Sequence, residues 1–184
     1  HATYNDAIDR VVDFGIDCIE HGGPMSDKTI DKIAKKNIPI CTTFSPVVMQ
    51  SKPEIAREYL IPEWKIEERQ KLVKDKSRFE SLIKASKAGI SIVFGTDAGS
   101  PVVPHDAIVP EMKFMIEMGL VKNNIEAIQS ATIKAAQLNR MEDKIGSLEM
   151  GKEADLIVIR GKPDINLDDL KNVEQVFING KRMI

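Results

Sequence analysis

Ile90-Ser91-Ile92-Val93-Phe94-Gly95-Thr96-Asp97-Ala98-Gly99 reads as a buried strand running into a glycine-flanked aspartate. The run Ile90–Phe94 has the length and β-branched content of a strand covered on both faces. Glycine on either side of Thr96-Asp97-Ala98 aims the carboxylate into open space at the strand's C-terminal end. Parallel α/β proteins build their sites at that end. Asp97 alone also reads as a helix cap or a loop hydrogen-bonder, so its meaning depends on what stands upstream.

Upstream the chain keeps a rhythm. Tyr4 to Phe14 carries Ala7, Ile8, Val11, Val12 and Phe14 at helical spacing, and Gly15 closes that helix. Ile16–Glu20 is a short strand running straight into His21-Gly22-Gly23. Ser26 or Asp27 caps a second helix with Ile30, Ile33 and Ala34 inward, and Ile38–Thr43 is the next strand. Helix and strand alternating through short connections predict a parallel sheet with covering helices.

Phe44 to Trp64 interrupts this with Pro46, Pro53 and Pro62, and is read as a long irregular segment, a candidate lid. Lys65 to Ala88 is read as one charged amphipathic helix ending at Gly89. Ser100 to Pro110 is a second loop, containing His105, followed by helices over about 107–118 and 124–139. From Ile145 the pattern turns to short β segments, 154–159 and 173–178, with a turn at Asn179-Gly180. Residues 1–140 and 141–184 are accordingly expected to form two units.

Composition excludes several classes. In 184 residues, 42% hydrophobic against 29% charged is the balance of a globular domain. A formal net charge of −2, with no basic stripe interleaved with aromatics, argues against a nucleic-acid surface. No apolar run reaches membrane-spanning length, and no signal-peptide pattern is present. Cys18 and Cys41 sit in apolar runs and read as buried, reduced thiols, which fits a cytoplasmic setting. The chain begins with His1 and is read as a segment of something longer.

Three residues share one description. His21 ends one strand, Asp97 ends another, and His1 stands one helix before His21, where a preceding strand would end. A barrel of parallel strands brings all three to one rim. Histidine and aspartate are ligands suited to zinc or a similar divalent ion. Each histidine alone also reads as a hydrogen-bonded structural residue, but the chain holds only three histidines.

These residues resemble a family. Gly15-Ile16-Asp17-Cys18-Ile19-Glu20-His21-Gly22, with His1-Ala2 before it, is similar to strands five and six of the amidohydrolase superfamily. Gly95-Thr96-Asp97-Ala98-Gly99 is similar to the end of its strand eight. Ser130-Ala131-Thr132-Ile133-Lys134-Ala135-Ala136 and 145–158 (IGSLEMGKEADLIV) resemble the signature that closes these enzymes. The likeness covers the whole chain, most closely in the imidazolonepropionase and Xaa-Pro dipeptidase, or prolidase-like, branch.

The resemblance implies an α/β fold, the C-terminal half of a (β/α)8 barrel plus the C-terminal part of a small β domain. It implies a divalent-metal cofactor, zinc foremost, with His1 and His21 binding one ion and Asp97 binding the other and shuttling the proton. A bound ion lowers the pKa of water from 15.7 to roughly 7, giving a hydroxide that attacks an amide carbonyl. Asp97 then passes the proton to the leaving nitrogen. His105 is placed within reach of the oxyanion or a substrate carboxylate, and by itself reads as a surface loop histidine. Tyr4 and Phe44 read as pocket-lining or as ordinary packing.

The family pattern also has a His-x-His on strand one and a lysine on strand four, and neither stretch is in this sequence. The expectation is therefore a metal-dependent hydrolase of C–N bonds in a small molecule or dipeptide, the isolated chain being inactive. A deaminase of the same superfamily, or a non-catalytic half acting only in assembly, are the alternatives. The expected partners are a small-molecule substrate and either the N-terminal barrel half or a second copy, with no nucleic acid and no membrane.

Overall fold

The computed structural model describes residues 1–184. Its first part alternates α1 (Asn5–Asp13), β1 (Ile19–Glu20), α2 (Asp27–Lys35) and β2 (Ile40–Thr42). Four helices follow, α3 (Ser45–Gln50), α4 (Pro53–Ala56), α5 (Glu63–Lys74) and α6 (Ser77–Lys87), and then β3 (Ile92–Phe94). After α7 (Ile108–Glu117), α8 (Asn124–Ala131) and α9 (Ile133–Leu138), the chain ends in β4 (Leu156–Ile159), β5 (Val173–Ile178) and β6 (Lys181–Arg182). The fold is mixed α/β. No helix is long and apolar enough to cross a membrane.

Strands β1, β2 and β3 form a parallel sheet in that order, and β4, β5 and β6 an antiparallel one. In the parallel sheet Ile19, Ile40 and Ile92 stand in register across the strands. All three are at most 2% exposed, because side chains alternate between sheet faces and this row faces the helices. Ile8 and Val12 of α1, Ile33 of α2, Leu82 of α6 and Met115 of α7 close over that row as one apolar core. Leu167, from the segment between β4 and β5, joins the same core. The next row, Glu20 and Cys41, faces the other way and is half-buried.

The expected elements are present, with four differences. The strands are shorter than the apolar runs, because pairing is confined to the residues nearest the C-terminal ends. The expected lid over residues 44–64 is mostly helical. Pro46 and Pro53 sit in the first turn of α3 and α4, and Pro62 immediately precedes α5. Proline's missing N–H costs nothing in a helix's first turn, so these prolines start helices.

The helix expected over 65–88 is broken in two at Asp75, which is extended and accepts a hydrogen bond from Ser77 N at 2.9 Å. The helix over 124–139 is likewise broken, at Thr132 (φ −117°, ψ −94°), whose hydroxyl donates to Ile128 O at 2.9 Å. Hydroxyl and carboxylate side chains that bond nearby backbone compete with the helical ladder. Both cysteines are free and half-buried. Burial, with Glu20 beside it, pushes the Cys18 thiol up to about 12, and Cys41 is pushed up for the same reasons. Such thiols are poor nucleophiles.

Candidate metal centre

Ala2 forms a parallel bridge with His21, its N–H donating to Glu20 O at 3.3 Å. The chain's first residues thus lie beside β1 as one more strand position. This brings the imidazoles of His1 and His21 together, with ring centroids 4.5 Å apart and planes at 70°. The approach depends on Gly23, where a Cβ would stand 1.9 Å from Thr3 O. Gly23→Ala is therefore expected to push residues 1–3 off β1 and abolish the His1–His21 ring-proton NOE. A retained NOE in that variant would show that the bridge does not hold His1.

His21 has a left-handed backbone (φ 71°), unusual for a side chain with a Cβ. It is held from several directions. Its N–H donates to Cys41 O at 2.9 Å, and its Nδ1 is 2.5 Å from Thr43 Oγ1. Its carbonyl accepts from Arg78 Nη2 at 3.0 Å, and the same nitrogen donates to Thr43 O at 3.2 Å. Desolvation holds the His21 imidazole below its usual pKa, with the Asp97 charge acting in the opposite sense. A neutral ring is the form that binds metals.

Asp97 follows β3 with φ 55°, exposed, in a turn closed by Ser100 N donating to Asp97 O at 3.1 Å. Gly95 lets β3 end close against β2, since a Cβ there would stand 2.6 Å from Cys41 Sγ. The structure thus brings His1 and His21 together and sets Asp97 within electrostatic reach of His21. It does not gather three His, Cys, Asp or Glu side chains into one ion-binding cluster. Two adjacent imidazoles fit part of the donor set of a zinc-type ion. A third donor has to come from Asp97 or from outside this chain's cluster.

His105 is exposed on a turn closed by Ala107 N donating to Pro104 O at 3.1 Å. Tyr4 is 74% exposed and lies outside the buried core. Phe44 is fully buried, stacked on Phe79 at 5.4 Å with the Arg78 guanidinium 4.9 Å from its ring centre. It is a packing residue. A cleft of about 660 Å³ lined by Ser86, Gly89, Ser91 and Lys134 holds none of the candidate residues.

Sequence reasoning missed Thr43, Arg78 and Glu111. Glu111 is fully buried, and its carboxylate accepts from Phe44 N and Ser45 N at 2.8 Å each, and from Ser45 Oγ. Burial raises its pKa, while those donors and Arg78 pull it back down. Burial brings Arg78 down to about 10, with Glu111 opposing. The available signal was a carboxylate on an inward stripe: Glu111 lies four residues from both Ala107 and Met115, which are buried.

The model of the family described as amidohydrolase family matches residues 1–183. The chain belongs to the amidohydrolase family. Among amidohydrolases and their relatives, a crystal structure of a Xaa-Pro dipeptidase with bound methionine in the active site superposes with a TM-score of 0.79 at 32% identity. The match covers 99% of this chain and 43% of that one. An imidazolonepropionase of Streptococcus pyogenes serotype M3 is 29% identical over 97 residues, 51% of this chain and 20% of the relative. A 5-methylthioadenosine/S-adenosylhomocysteine deaminase of Symbiobacterium thermophilum is 36% identical over 83 residues, 41% of this chain and 19% of the relative. The chain thus spans less than half the length of each of these proteins.

Proposed function

We propose that residues 1–140 supply strands six to eight, and the end of strand five, of a (β/α)8 amidohydrolase barrel that cleaves a C–N bond in a dipeptide or cyclic amide. Residues 141–184 then form part of the small β domain. The observation that carries this reading is the His1–His21 pair, two imidazoles 4.5 Å apart at the C-terminal ends of neighbouring parallel strands. Likeness to the Xaa-Pro dipeptidase supports the substrate class.

His1 and His21 are the residues that would hold a divalent ion. Such an ion supplies Lewis acidity and makes a water acidic enough to ionise near neutral pH. Asp97, exposed after β3, takes the water's proton and returns it to the leaving nitrogen. His105 reaches in from its turn to a substrate carboxylate. β1 and β3 keep an outer edge without a full partner strand. Parallel sheets are normally covered on both faces and paired at their edges. The complementary barrel half is the partner that fits these edges, and a second copy of the chain is the alternative.

The deaminase relative favours a second reading, removal of an amino group from a ring, carried by the same residues. One chimera tests both. The first half of the Xaa-Pro dipeptidase is joined to His1 and offered Xaa-Pro dipeptides, cyclic amides and aminated rings. Chelator-sensitive cleavage of the first two is expected, and no turnover by the 184-residue chain alone. Ammonia release from the rings alone would establish the deaminase reading instead. Chelator-sensitive turnover by the chain alone, or a folded, zinc-loaded chimera that cleaves no C–N bond, would overturn the proposal.

A further inference from the structure

We propose that Arg78 and Glu111 form a buried bracket that locks Thr43 against His21, fixing the His21 ring with Nδ1–H donating to Thr43 and Nε2 free as the ligand nitrogen. The inference rests on His21 being a metal ligand, and it assigns positioning roles to three residues outside the donor set.

The geometry closes on the two strand ends. One nitrogen of Arg78, reaching from α6, donates to the carbonyls of both His21 and Thr43, tying the end of β1 to the end of β2. The same two residues touch through their side chains, His21 Nδ1 to Thr43 Oγ1. Glu111, reaching from α7, accepts the backbone N–H groups of Phe44 and Ser45, which fixes the chain directly after Thr43. The Phe44 ring lies under the Arg78 guanidinium and completes the bracket.

One feature indicates that the bracket serves a geometry. His21 sits at φ 71°, a strained conformation that persists only when its surroundings over-determine it. Metal-binding histidines characteristically give their second nitrogen to an outer partner that sets tautomer and orientation. Thr43 is placed as that partner, and the bracket explains why it stays there.

The tautomer is read directly by ¹⁵N NMR on the metal-free chain with its imidazoles neutral. His21→Gln and His105→Gln variants assign the rings of the three histidines. His21 is expected to show a pyrrole-like Nδ1 and a pyridine-like Nε2. Thr43→Val, which keeps the volume and loses the hydroxyl, is expected to lose that pattern, while Thr43→Ser keeps it. Arg78→Met, which keeps an unbranched stem and carries no donor for the two carbonyls, is expected to lose it with the far-UV spectrum unchanged.

The wild-type pattern surviving in Thr43→Val overturns the tautomer assignment. Its survival in folded Arg78→Met overturns the bracket. If Arg78→Met does not fold, Glu111→Gln reads the same bracket by the same criterion. A Zn²⁺ titration separates this inference from the functional reading. Thr43→Val is expected to weaken Zn²⁺ binding by about 10- to 100-fold. A wild-type His21 ring that ignores Zn²⁺ overturns the ligand role, while the tautomer pattern is judged on the metal-free spectra.

Discussion

Asp97→Asn in the dipeptidase chimera is expected to lower kcat by about 10²- to 10⁴-fold while leaving the fold unchanged. Asn is close to a conformational match for this position. Asp97 has φ 55°, and asparagine tolerates the left-handed region better than other residues with a Cβ. The turn around it is held by backbone and by Thr96 Oγ1 accepting from Ala98 N at 3.2 Å, none of which needs the carboxylate. The amide therefore keeps the shape and a weak donor oxygen, but it cannot accept a proton. The measurement is steady-state hydrolysis alongside a melting curve. A near-native kcat would remove Asp97 from proton transfer and return it to a turn-forming role.

Glu111→Ala is expected to cost about 3–5 kcal/mol of folding stability, since each buried donor left without its acceptor costs roughly 1–3 kcal/mol. The loss has three parts. Phe44 N and Ser45 N are buried donors that lose their acceptor, as does Ser45 Oγ. Arg78, half-buried, loses the carboxylate whose charge opposes its desolvation. A cavity is also left in the α7 face that packs on the core. Chemical denaturation of the two chains side by side measures the difference. A loss below about 1 kcal/mol, the size of an ordinary exposed ion pair, would mean that Glu111 is not the anchor of the chain after β2.

How far the fold could be read in advance depended on whether the signal was local. The apolar runs ending at His21, Thr43 and Phe94 mark their strands because strand residues must be apolar where both faces are covered. Ser26 announces α2 by the chemistry of a cap, and its side chain does accept from Thr29 N at 3.2 Å. Prolines were misread where their position in a turn of helix, and not their presence, decides the outcome. Pro46 and Pro53 look like breakers in sequence and act as helix starters. The breaks at Asp75 and Thr132 depend on single side-chain hydrogen bonds that no periodicity reveals.

The candidate site divides along the same line. His21 and Asp97 stand at strand ends that the sequence marks, and the Ala2–His21 bridge sets His1 where a preceding strand was expected to end. Arg78 and Glu111 were invisible because their partners lie far along the chain, at His21 and Thr43 for one and at Phe44 and Ser45 for the other. On their own helices both look like ordinary charged residues.

The central claim, that His21 with His1 forms a divalent-metal site, is tested most directly by isothermal titration of Zn²⁺ into the wild-type chain and its His21→Gln and His105→Gln variants. One equivalent is expected to bind the wild type and His105→Gln with equal affinity, and His21→Gln is expected to bind at least about tenfold more weakly. Unchanged Zn²⁺ binding by His21→Gln would contradict the claim, as would loss of binding on replacing His105 instead.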